Sequence, residues 1–154
     1  MKDELISYET AKLAKEKGFD EECKYYYDTE KELDDFSYYA GNGTGFDQNS
    51  TCKENDYYNH KIDFVVPTQS LLQRWLREKH KLHLSVSYSV DHNKYSVNGY
   101  DEYHWNELKK RNPRSEGRFP YPYRSNFIEN KWIYNTYEEA LEVGLQEGLK
   151  LITI

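Results

Sequence analysis

PTQSLLQRWLREKHKLHLSVSYSV, residues Pro67 to Val90, reads as a helix running directly into a strand. Pro67 sits where a helix tolerates a residue without an N–H, and Thr68 or Ser70 can cap the first turn. Leu71, Leu72, Trp75 and Leu76 then recur at helical spacing and predict one buried face, with Arg74, Arg77 and Lys81 together on the opposite side. After Lys81 the period changes from 3.6 to 2. Leu82, Leu84, Val86, Tyr88 and Val90 alternate with His83, Ser85, Ser87 and Ser89, the pattern of a half-buried strand.

Two more helices follow from the same kind of argument. Over 3–17, Ile6, Thr10, Leu13 and Ala14 share a narrow face, and Gly18 supplies the left-handed residue that ends helices, with Phe19 as the apolar contact after it. At the other end of the sequence, Thr136-Tyr137-Glu138-Glu139 is a capping box, with acids where the helix dipole prefers them. The face predicted to be buried there is Ala140, Leu141, Gly144, Leu145, Gly148, Leu151 and Ile152. Two interior glycines cost about 1 kcal/mol each relative to alanine, so their presence points to close backbone packing. Glu139, Glu142, Gln146 and Lys150 on the other face exclude a membrane helix.

Aromatic and β-branched runs predict strands at 24–28, 36–40, 62–66, 95–97 and 127–134, with a hairpin turn at Asn93-Lys94. Residues 103–111 read equally as a short helix stopped by Asn112-Pro113 or as an extended excursion. Loops are expected near 41–56 and 109–124. The order of elements predicts an α+β fold, with about three helices packed on a mainly antiparallel sheet. With 154 residues, a single domain spanning 1–154 is the expectation.

Hydrophobic residues make up only 37% of the chain but aromatics 16%, including 16 tyrosines, so amphipathic rings must supply much of the core. No run approaches the roughly 18 apolar residues of a membrane span, and the acidic start MKDELISYET does not resemble a secretion signal. A cytoplasmic protein is expected, in which Cys23 and Cys52 stay reduced. The glycosylation-type triplets at Asn42 and Asn49 then mark only turn-rich chain. Charge is uneven: residues 1–66 carry −8, residues 67–124 carry +5 and residues 125–154 carry −3, within a total of −6. The basic middle is hidden by the acidic total.

Three blocks, LISYETAKLAKEKGF at 5–19, PTQSLLQRWLREKHKLHLSV at 67–86 and TYEEALEVGLQEGLKLI at 136–152, resemble those of a small-protein family encoded by gut Bacteroidetes and their phages. The resemblance implies a mobile-element origin and carries no site residues with it. Relative to that family the segments 41–56 and 98–126 look enlarged.

Chemical motifs are few. His80, His83 and Asp91-His92 straddle a helix end and a strand without the spacing of a zinc site. The pairs Glu21-Glu22, Asp34-Asp35 and Glu138-Glu139 read as solvated charge or capping before acid–base chemistry. Gly41-Asn42-Gly43-Thr44-Gly45 lacks the lysine and following helix of a phosphate loop. No metal or cofactor is expected, and a small enzyme is only a third reading. The leading expectation is a non-enzymatic accessory protein binding a host protein, another macromolecule or a small anionic ligand. The alternative is nucleic-acid or nucleotide binding through Lys109, Lys110, Arg111, Arg114, Arg118, Tyr121, Tyr123 and Arg124. There, arginines surround rings held extended by Pro120 and Pro122, a composition that grips phosphates and stacks on bases. The same segment could instead be a solvated loop paired with the acidic N-terminal third. The arginine side of the central helix, with Glu78 beside Arg74, is explained by ordinary amphipathic packing before any ligand is invoked.

Overall fold

The structure, a computed structural model, describes residues 4–28, 30–35, 62–101 and 133–153. They form an α+β fold of three helices and five strands in which every strand pairing is antiparallel. In chain order the elements are α1 (Tyr8–Glu16), β1 (Tyr25–Asp28), β2 (Leu33–Asp35), β3 (Ile62–Val66), α2 (Gln69–His80), β4 (Leu82–Ser89), β5 (Lys94–Asp101) and α3 (Tyr137–Leu151). The strands form two groups, a three-stranded sheet ordered β2-β1-β3 and the β4-β5 hairpin. The chain divides within α2 into two compact units, residues 1–72 with 153–154 and residues 73–152.

In the first unit, α1 begins at Tyr8, five residues later than the apolar pattern suggests, with Ser7 as its cap. The Ser7 hydroxyl accepts a hydrogen bond from the Thr10 amide, while Leu5 ahead of it is extended in an antiparallel bridge with Thr68. Tertiary pairing therefore holds residues before the cap out of the helix, although Ile6 is buried as expected. Ala11 joins Thr10 and Ala14 on the buried side, and Leu13 is only half-buried. Gly18, at φ +78°, ends the helix, and Phe19 is buried behind it. Tyr8 carries α1 onto the sheet: its ring lies 5.0 Å from Tyr27 and 5.1 Å from Phe64, which are themselves cross-strand partners. Aromatic edges meeting faces in this way add about 0.5–1.5 kcal/mol per pair beyond the area they bury.

The predicted strand at 62–66 appears with those bounds, and that at 24–28 begins one residue later. Strand β2 was not foreseen, because Leu33-Asp34-Asp35 has little strand propensity. It forms because Asp28 organises the turn before it, with Oδ1 accepting from the amides of Glu30 and Glu32, both at 2.8 Å. The strand expected at 36–40 and the loop at 41–56 lie outside the described residues.

In the second unit, the β4-β5 hairpin turns through Val90–Asn93, with Asn93 at φ +49°, so Lys94 opens the next strand instead of sharing the turn. Helix α3 packs on this hairpin. Thr136 caps it, its hydroxyl accepting from the Glu139 amide at 3.0 Å. The Glu139 carboxylate reaches back to the amide of Asn135, one residue beyond the usual partner. Ala140, Leu141, Gly144, Leu145, Gly148 and Ile152 are buried as expected, but Leu151 is 48% exposed and Leu149 takes its place. Leu141, Leu145 and Leu149 line one side at four-residue spacing, whereas Leu151 lies well off that line in the final turn.

Candidate functional site

The central helix is set by backbone and cap together. The carbonyl of Pro67 accepts from the Ile6 amide, the Gln69 amide donates to the carbonyl of Glu4, and Thr68 provides the cap by accepting from Leu71 N. Of the predicted buried face, Leu72, Trp75 and Leu76 are buried, while Leu71 is only half-buried. Leu71 lies at the margin of the arc that the other three define. From within the helix, the Gln73 side-chain amide donates to the carbonyl of Leu84 at 3.0 Å and ties α2 to the strand that follows it.

The opposite side of α2 presents Arg74 and Arg77, one turn apart, and Lys81 follows directly after the helix end, all three exposed. Arg77 meets the carboxylate of Glu78 at 3.5 Å, with both side chains largely in solvent. Lys81 leaves the helix at φ +59° and its Nζ donates to the carbonyl of Glu78 at 3.2 Å. The final turn contains Arg77, Lys79 and His80, and the first turn contains no acid, so the basic end of the helix coincides with the negative end of its dipole. His80 differs from its cationic neighbours. It lies edge-on to Trp75 with ring centroids 4.4 Å apart, and burial, followed by the charge of Lys79, lowers its pKa from the usual value.

The eight residues of the basic aromatic segment, Lys109, Lys110, Arg111, Arg114, Arg118, Tyr121, Tyr123 and Arg124, all lie outside the described residues. Of the basic surfaces singled out in the sequence, the one that falls on described residues is that of α2. Two acidic pairs have structural occupations: Asp34 accepts from the Tyr26 hydroxyl at 3.2 Å across the β1-β2 pair, and Glu139 completes the cap of α3. Among the described residues, no cluster of three or more His, Cys, Asp and Glu side chains could hold a metal ion, and no helix is long and apolar enough to cross a membrane.

One surface was not singled out from the sequence. The apolar stripe of β4 leaves the core as it approaches the turn: Leu82 and Leu84 are buried, Val86 is half-buried, Tyr88 is 49% exposed and Val90, already in the turn, is 82% exposed. Tyr88 faces Tyr95 across the hairpin with ring centroids 5.0 Å apart, and the backbone of Tyr95 exchanges hydrogen bonds with Tyr134. Three tyrosines thus stand side by side across neighbouring chain segments. The signal was present as equal spacing of Tyr88 and Tyr95 about the turn, but it needed the register to be read. Ser96, also on β5, buries its hydroxyl without a hydrogen-bond partner among the described residues.

Compared with known family models, curated proteins and solved structures, the chain matches none.

Proposed function

We propose that this chain is a non-enzymatic accessory protein of a phage or other mobile element that binds a host macromolecule through a basic surface. The observation that carries the reading is the solvent side of α2 and its C-terminal exit, where Arg74, Arg77 and then Lys81 are exposed with Glu78 as the acid among them. Exposed ion pairs contribute only about 0–1 kcal/mol to stability, so the fold itself has little use for this concentration of cations. The +5 charge of residues 67–124 within an acidic chain supports the same reading, and the origin rests on the resemblance of the three sequence blocks to those of phage and Bacteroidetes small proteins. The test is recovery of a defined host partner on the tagged protein, before and during infection, compared with the Arg74→Ala/Arg77→Ala variant. Capture that is equal for both proteins and indifferent to salt would count against the basic surface. Absence of any partner under both conditions would count against the function.

A second reading, nucleic-acid binding, is favoured by the run of arginines and tyrosines at 109–124 in the sequence. Fluorescence anisotropy with single-stranded DNA and RNA at rising salt separates it from an acidic protein partner. Phosphate contacts give a linear fall of log affinity with log salt. No binding to either strand at low salt removes this second reading and leaves the first standing.

A further inference from the structure

We draw no further inference here: the strongest candidate, the row of Tyr88, Tyr95 and Tyr134 beside the turn of the β4-β5 hairpin, is a partly exposed aromatic face, and nothing in the structure shows what covers it.

Discussion

Gly144 of α3 lies so close to Val97 of β5 that a Cβ on the glycine would sit 2.6 Å from Val97 Cγ2. This approach explains a helix-interior glycine that otherwise sacrifices about 1 kcal/mol of helix propensity. Gly144→Ala recovers that propensity but drives a methyl into a stiff β-branched side chain, and overpacking of this kind typically costs about 1–3 kcal/mol. The net expectation is a loss of about 1 kcal/mol. Combining it with Val97→Ala should cost less than the sum of the two single changes, because the second removes the obstacle. Strict additivity in urea denaturation would show that the two residues do not meet.

Trp75 is 3% exposed. Trp75→Ala should therefore destabilise the protein by about 3–5 kcal/mol, a large share of what a domain of this size possesses. Leu71→Ala, at the half-buried margin of the same helix, should cost distinctly less. Equal losses for the two variants would mean that the orientation of α2 is wrong.

Ser96 gives a prediction of opposite sign. Its hydroxyl is fully buried without a hydrogen-bond partner among the described residues, and a donor left in that state typically costs about 1–3 kcal/mol. Ser96→Ala should raise the denaturation midpoint, since alanine keeps the backbone of β5 and discards the orphaned group. A clear loss of stability would reveal a partner for the hydroxyl, such as an ordered water.

The strongest local signals in the sequence corresponded to real elements. Thr136 and Glu139 marked the start of α3 because a capping box is a local device, and 62–66 was legible as β3 because four of its five residues suit a pleated sheet. What escaped depended on long-range partners. The start of α1 is decided by the bridge between Leu5 and Thr68, and the existence of β2 by pairing with β1. The candidate site divided in the same way: the outward side of α2 follows from helical periodicity alone, whereas the row of tyrosines depends on hairpin register.

His80 makes stability depend on pH. Its folded-state pKa lies below the ordinary 6.5 because burial, and then the Lys79 charge, disfavour the imidazolium. Between the two values the unfolded chain binds more protons than the folded one, so stability rises with pH across that window and is lost as pH falls below about 6.5. His80→Gln should remove this component. The decline in denaturation midpoint between about pH 7.5 and about pH 5 should then be shallower in the variant than in the wild type. Parallel profiles would show that His80 titrates alike in both states.

Arg74 and Arg77 separate a working surface from a merely solvated one. Both are exposed, and the ion pair that Arg77 makes with Glu78 lies in solvent, so Arg74→Ala/Arg77→Ala should change stability by no more than about 1 kcal/mol. Alanine is also the better helix former, which further protects the fold. Association with an anionic partner should weaken instead. If that partner is single-stranded nucleic acid, each lost phosphate contact lowers the salt slope by about 0.7, and the double variant should lose about 1.4. An unchanged affinity and slope in the variant, with the wild type binding well, would move the contact away from α2. A wild type that binds no polyanion at low salt, and whose host partner ignores the double substitution, would remove the basic surface from the proposed function altogether.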